Sequence, residues 1–277
     1  MTTSGRPLAV VTGASRGIGL ELARQFAANG FDLILDAEDA DVDAAAADLR
    51  RDGAEATAVQ ADQSTPEGVV ALHAAIRDAG RPVDALAINA GIGTSGPFVD
   101  GDLADHLRLI DLNVRGAVHL AGLVVPAMAA RGEGRVLFTA SIASTMPGPY
   151  QSTYAASKAF VYSFAQAIRH ELRDRGVTVT ALMPGPTDTE FFERAGLEDT
   201  KVGQGSKDDP ADVARDGYEA LMAGKDHVVA GSVRNKAMTA AAKVMPDKAA
   251  AAMHGAMSKP GSAPGSGSDE ADEPDDG

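Results

Sequence analysis

The chain of 277 residues contains no cysteine and no tryptophan. Without cysteine, disulfides and thiolate chemistry are excluded, and any metal site would have to use histidine and carboxylates. The six histidines show no close ligand spacing such as His-x-x-x-His, so no metal is expected. Aromatic residues make up only 4%, so the core must rest on Ala, Val, Leu and Ile. Positive charge is outweighed: the net charge of -14 argues against nucleic acid as a partner, because little would neutralise its phosphates. Long apolar runs are missing too. Leu8 to Val11 is too short for the core of a signal peptide. Leu120 to Ala130 is interrupted by Pro126, so no membrane span is expected. A cytoplasmic protein is the resulting expectation.

What is present fits one large α/β domain. Leu8, Ala9, Val10 and Val11 read as a buried strand within Arg6 to Thr12. The turn Gly13-Ala14-Ser15-Arg16-Gly17-Ile18-Gly19 follows, then a helix with Ile18, Leu22 and Phe26 on one face, ending at Asn29-Gly30. Strand, glycine-rich turn and helix together make a phosphate cradle: Gly17 admits a pyrophosphate close to the backbone, and the helix N-terminus offers N–H groups. A second strand, Phe31 to Leu35, leads to Asp36, Ala37, Glu38 and Asp39. An acid there accepts hydrogen bonds from an adenosine ribose and repels a 2′-phosphate. Glu38 is the first choice for that role and Asp36 the second. Equally, these acids can simply open the next helix, Asp41 to Arg51. Arg16 points the other way, toward a 2′-phosphate. The balance favours NAD over NADP.

A third strand, Glu55 to Ala61, ends at Asp62, a candidate acceptor for an adenine amino group. A helix spans Pro66 to Ala79. Val83 to Asn89 is the fourth strand, and Gly91 and Gly93 beyond it let the chain pass close to a ligand. The helix Leu103 to Ala130 carries Asn113 between Leu112 and Val114. A polar residue there marks a helix bend or a bound water, or is a satisfied core amide. Strands and helices alternate throughout, with six candidate strands before residue 184, which argues for a doubly wound parallel sheet.

Arg135 to Ala140 is a fifth strand, with Ser141 at its end. Pro147, Gly148 and Pro149 mark a loop, and a helix is expected from Gln151 to about Arg175. On it Tyr154 and Lys158 lie four residues apart, on one face. An ammonium beside a phenol favours phenolate and brings its pKa toward working pH, as a general acid/base requires. Ser141 is placed to hydrogen-bond a substrate oxygen beside Tyr154. A lone Tyr-x-x-x-Lys is common by chance, so the pair gains weight only from the other motifs.

Thr12-Gly13-x-x-x-Gly17-x-Gly19, Asn89-Ala90-Gly91, Asn113, Ser141, Tyr154-x-x-x-Lys158 and Pro184-Gly185 occur in the order and spacing of the short-chain dehydrogenase/reductase family. The chain resembles that family over roughly residues 6–230. The resemblance implies a single Rossmann-like domain with a seven-stranded sheet, holding a nicotinamide cofactor and substrate together. It implies that Tyr154 is the general acid/base, that Lys158 lowers its pKa and binds the nicotinamide ribose, and that Ser141 orients the substrate. Asn113 would hold a water in a proton relay. Gly13, Ser15, Arg16, Gly17, Ile18 and Gly19 would surround the pyrophosphate. Glu38 and Asn89 would lie at the adenosine ribose, Asp62 at the adenine and Gly91 beside the cofactor. Pro184, Gly185, and Thr187 or Thr189, would contact the carboxamide and phosphates. Ile88 departs from the pattern, since many members carry a second Asn there. A homodimer or homotetramer is implied, formed through the helices of Asn113 and Tyr154.

Val177 to Met183 is the sixth strand, and Pro184 to Asp209 is a long segment read as a lid over substrate. Phe98, Met146, Tyr150, Phe191 and Phe192 suggest an apolar alcohol or ketone, while a core role for some of them fits equally. A helix, Pro210 to Ala223, and a last strand, His227 to Ala230, follow. The Ala- and Met-rich stretch Lys236 to Met257 is expected to pack over the pocket or against another subunit, ahead of lying on a membrane. The domain is placed at residues 1–257. Residues 258–277, rich in Gly, Ser, Pro, Asp and Glu, are expected to be a disordered tail. Two other readings use the same fold: a cofactor-binding sensor or scaffold without turnover, and a non-redox lyase or epimerase.

Overall fold

A computed structural model describes residues 5–242 and 245–263. Seven strands form one parallel sheet: β1 (Leu8–Thr12), β2 (Asp32–Ala37), β3 (Ala56–Gln60), β4 (Ala85–Ile88), β5 (Gly134–Thr139), β6 (Val177–Met183) and β7 (His227–Val229). Their order is β3-β2-β1-β4-β5-β6-β7, so the winding reverses between β1 and β4. Ligands bind above such a reversal, at the carboxyl ends of the strands. The sheet is buried on both faces because its strands are apolar on both faces. Ala9 and Val11 pack toward α1 (Gly17–Ala28), α2 (Asp41–Arg51) and α9 (Pro210–Met222). Leu8 and Val10 pack toward α3 (Pro66–Asp78), α5 (Ala117–Arg131) and α6 (Ser152–Leu172).

Four elements differ from the sequence expectation. The second strand runs on through Asp36 and Ala37, in register with β3 as far as Ala37↔Gln60, so Asp36 lies inside the sheet. The helix expected over Leu103 to Ala130 is α4 (Leu103–Ile110), a π-helical turn (Asp111–Gly116) and α5 in sequence. The turn contains Asn113, for which the sequence offers a bend, a bound water or a satisfied core amide; its amide is buried and bonded to Ile92 and Ser157. Pro126 stays within α5, on its exposed side, and does not end it. By length and composition alone Leu103–Arg131 would therefore suffice to cross a membrane, but half of its most apolar window is buried inside the fold.

The third difference lies in the segment after β6, which holds two short helices, α7 (Phe191–Arg194) and α8 (Lys201–Gln204). The fourth is at the end of the chain. The Ala- and Met-rich stretch forms two helices, α10 (Val233–Ala242) and α11 (Asp247–Ser258), with Lys243 outside the described residues. The expected tail does not start at Ser258. Ser258 closes α11, and the N–H groups of Gly261 and Ala263 bond to Asp199 at 2.8 and 2.9 Å. The rest of the acidic tail, 264–277, lies outside the described residues.

Candidate active site

One cleft runs across the carboxyl ends of the strands. Its floor starts at the turn after β1. Gly13 and Gly17 have φ of +63° and +56°, which disfavours any side chain there. A Cβ on Gly19 would sit 1.9 Å from the carbonyl oxygen of Gly13, so the turn closes only with glycine at 19. Helix α1 then begins with no side-chain cap and no acid in its first turn. That leaves N–H groups and the positive end of the helix for an anion. These features fit a dinucleotide pyrophosphate.

Charged side chains form the rim beside this turn. Glu38 is paired with Arg108 at 2.5 Å and with Arg194 of α7 at 2.6 Å. Arg16 is surrounded by three carboxylates: Asp39 at 3.1 Å, Asp41 at 2.7 Å and Glu190 at 2.5 Å. Ser15 donates to Asp39, and Asp62 accepts from the N–H of Ser64 and lies 3.7 Å from Arg108. Glu190 and Arg194 belong to the segment after β6, so two ion pairs reach across the cleft. Asp36, the second choice for the ribose, is fully buried beneath this rim. Its Oδ1 accepts from Gln63 at 2.9 Å, while Asp36 Oδ2 and Gln63 Oε1 have no partner among the described residues. Burial first, and the negative Asp62 beside it, push the Asp36 carboxyl well above its usual range, against the bond from Gln63.

At the other end of the cleft the polar side chains are buried, apart from Asn89, which is half-buried. Asn89 donates to Thr12 O at 3.1 Å and accepts from Thr139 Oγ1 at 3.0 Å. The carbonyl of Thr139 in turn accepts from Lys158 Nζ at 2.8 Å. A chain of hydrogen bonds thus joins the glycine turn to the lysine on α6. Asn113 stands behind Gly91: Oδ1 accepts from Ile92 N at 3.0 Å, and Nδ2 donates to Ile92 O at 2.9 Å and Ser157 Oγ at 3.0 Å. A Cβ on Gly91 would lie 3.1 Å from both Asn113 Oδ1 and Lys158 Nζ, so glycine is what lets the loop pass these groups.

Lys158 Nζ lies 5.9 Å from the centre of the Tyr154 ring. Burial pushes the Lys158 ammonium down to about 8. Burial raises the Tyr154 phenol, and a hydrogen bond with Ser141 pulls it back. In the protein alone the phenol is therefore less acidic than usual, contrary to the simple expectation from its ammonium neighbour. Ser141 Oγ accepts from Ala143 N at 3.1 Å, which leaves its own proton for another acceptor.

The sequence-selected residues Gly13, Ser15, Arg16, Gly17, Ile18, Gly19, Glu38, Asp62, Asn89, Gly91, Ser141, Tyr154 and Lys158 all line this cleft, as do Pro184, Gly185, Thr187 and Thr189. Thr189 is the threonine nearest the turn: a Cβ on Gly17 would meet its Cγ2 at 3.1 Å. Thr187 is buried and donates to Gly185 O. Of the aromatic residues expected at the substrate end, Phe191 and Phe192 line the cleft, and the Phe191 ring centre is 5.3 Å from that of Tyr154. Phe98 does not. It is 60% exposed and packs on His106. Tyr150 is also absent from the lining and has a φ of 65°. Sequence reasoning passed over Gln63, Arg108, Gln151, Glu190, Arg194 and His254. Only Gln151 carried a signal, standing one turn before Tyr154.

Comparison with known proteins shows the family and the fold. A profile of the short chain dehydrogenase family matches residues 7–199. A 3-oxoacyl-[acyl-carrier-protein] reductase of Synechocystis sp. is 35% identical over 200 residues, covering 72% of this chain and 81% of the relative. A short-chain dehydrogenase of Sphingobium yanoikuyae in complex with NADPH superposes with a TM-score of 0.75 at 32% identity, covering 85% of this chain and 93% of the other. One from Burkholderia phymatum in complex with NAD gives 0.76 at 25% identity, covering 88% and 94%.

Proposed function

The chain belongs to the short-chain dehydrogenase/reductase family and is an NAD(P)-dependent oxidoreductase, and from that premise we propose that it interconverts a small apolar alcohol and its ketone with Tyr154 as general acid/base. The observation that carries this reading is the buried Lys158 ammonium 5.9 Å from the Tyr154 ring, at the mouth of the cleft that the glycine turn floors. A bound nicotinamide ring supplies the hydride donor or acceptor. In reduction the Tyr154 hydroxyl gives its proton to the carbonyl oxygen, and in oxidation the phenolate takes the alcohol proton. Ser141, which bonds Tyr154 in the protein alone, holds the same oxygen through its hydroxyl. The Lys158 charge, present below its pKa of about 8, favours the phenolate. Asn113 fixes the Ile92 backbone, and a water on its Oδ1 would continue the proton path. The test is Tyr154→Phe, assayed for NADH binding and for turnover on a carbonyl panel. Bound NADH with no oxidation is expected, and substantial turnover would refute the assignment.

NAD is the proposed cofactor. Three carboxylates already occupy Arg16, and Glu38, held by Arg108 and Arg194, is placed to accept from an adenosine ribose. NADH should bind more tightly than NADPH, and the reverse order would remove the role given to Glu38. The segment Pro184 to Asp209 acts as a lid, since Phe191 packs on Tyr154 and Glu190 and Arg194 bridge to the opposite rim. Cofactor should slow proteolysis there, and equal cleavage with and without it would argue against a lid. A homodimer or homotetramer is proposed from the exposed Leu103, Leu107 and Ile110 of α4 and Phe160 of α6, which form apolar surface for a second copy. A monomer in light scattering would overturn that.

A further inference from the structure

Past Tyr154 the cleft is apolar on most sides, walled by Met146, Phe191, Phe192, Met238, Met253 and Met257. Three polar residues interrupt that wall: Gln151 at the start of α6, and His254 and Ser258 on α11. They are joined to one another. Ser258 Oγ donates to Gln151 Oε1 at 3.4 Å, and His254 Nδ1 lies 3.4 Å from the same hydroxyl. Gln151 is only 7% exposed and Ser258 2%, yet Gln151 Nε2 has no partner among the described residues. Turning the amide over merely exchanges which of its two polar atoms is left facing the cleft. Gln151 lines the cleft, so an amide atom that faces it with no protein partner is available to bond a ligand atom.

The local backbone is bent to hold this arrangement. Tyr150, immediately before Gln151, is the one non-glycine residue with positive φ among the described residues. Such strain persists only where the surroundings enforce it. Here α11 does so: a Cβ on Gly255 would lie 3.4 Å from Pro149 and 3.8 Å from Tyr150, and one on Gly148 would lie 3.4 Å from His254. Beyond α11, Gly261 and Ala263 are fastened to Asp199, so the helix is tied down at its far end as well.

We propose that Gln151, His254 and Ser258 form a specificity site for a second, uncharged oxygen of the substrate, a hydroxyl or carbonyl carried a few bonds from the reacting carbon. The proposal rests on the reading of Tyr154 as the reacting end. An uncharged group is favoured because burial lowers the His254 pKa, against a bond to Pro149 that raises it. Of the cations lining the cleft, Arg16 and Arg194 are held by carboxylates and Lys158 belongs to the reacting end. The substrate class is then a hydroxyketone, a β-keto ester or a similar bifunctional carbonyl compound, with apolar chain against the methionines.

The test compares kcat/KM, with NADH, for a plain alkyl ketone and a β-keto ester of equal chain length, in the wild type, His254→Phe and Ser258→Ala. NADH binding of each variant serves as the check on folding. The wild type should favour the oxygenated substrate by about tenfold or more, since a site built to bond an oxygen rejects an analogue lacking it. In both variants that ratio should fall toward one. A wild type that treats the two alike, or variants that keep the ratio, would overturn the specificity site while leaving hydride transfer intact. Failure to turn over any carbonyl compound would overturn the hydride-transfer reading and this proposal with it.

Discussion

At one end of the cleft the Glu38 side chain is 30% exposed and its partners Arg108 and Arg194 are 45% and 46% exposed. At the other end Lys158 is 5% exposed, Tyr154 9% and Asn113 2%. The first end is assembled from ion pairs in water, each worth only about 0–1 kcal/mol and screened by salt. The second is assembled from buried groups whose partners cannot be removed cheaply, because an orphaned donor or acceptor costs about 1–3 kcal/mol. The contrast suits the tasks proposed for them. Cofactor must enter and leave past the charged rim, whereas proton transfer needs groups already aligned.

Substitutions at the two ends should therefore differ in kind. The largest effect is expected at Tyr154→Phe, which should lower kcat by about 10²–10⁴ while NADH affinity changes little. Loss of both in titration and steady-state assays would mean that the tyrosine supports structure instead. Next comes Asn89→Ala, at the joint between the ends. It strips the bonds to Thr12 and Thr139, and chemical denaturation should show a loss of about 1–3 kcal/mol. Unchanged stability would mean that the hydrogen-bond chain from the turn to Lys158 carries no strain-bearing role.

Asp36 sharpens the comparison, because it is a buried acid under the exposed rim. Its folded pKa is raised, so its contribution to stability is fully present below the unfolded value of about 3.9 and is lost as pH rises through the folded pKa. A proton on Oδ2 would supply the donor that both Oδ2 and Gln63 Oε1 lack. Asp36→Asn reproduces that neutral form, so thermal denaturation across pH should show a flatter decline on the alkaline side than in the wild type. An unchanged slope would show that Asp36 is already ionised in the fold. The smallest effects belong to Glu190→Gln and Arg194→Gln. Each should alter the rate of NADH release by less than about fivefold, and added salt should shrink the difference further. Larger, salt-independent changes would mean that the bridges are part of the buried machinery.

The same contrast explains what could be read from the chain. The reacting end depends on short spacings, such as Tyr154 and Lys158 one turn apart, and on strand ends marked by apolar runs. The bounds expected for α2 and β6 match those observed. The charged rim depends on partners far apart in sequence: Arg16 with Glu190, and Glu38 with Arg194. No local pattern specifies those pairs. The second strand was read too short because Asp36 looks like a strand end until Gln63 is seen beside it. Phe98 lies away from the cleft: apolarity alone does not say which face of the protein a side chain occupies. His254 was hidden among the methionines and alanines of α11, whose position over the cleft depends on packing.

The central claim is that Tyr154 becomes a working acid/base only in the assembled site, since burial alone raises its pKa. The direct measurement is ultraviolet difference absorbance of tyrosinate across pH, wild type against Tyr154→Phe, with and without NAD⁺. Tyr154 should titrate above the usual value of about 10 in the free protein, where Lys158 has already lost its charge, and below it with NAD⁺ bound, as the cofactor's positive ring favours the phenolate. A Tyr154 titration that stays above that value with NAD⁺ bound would contradict the account.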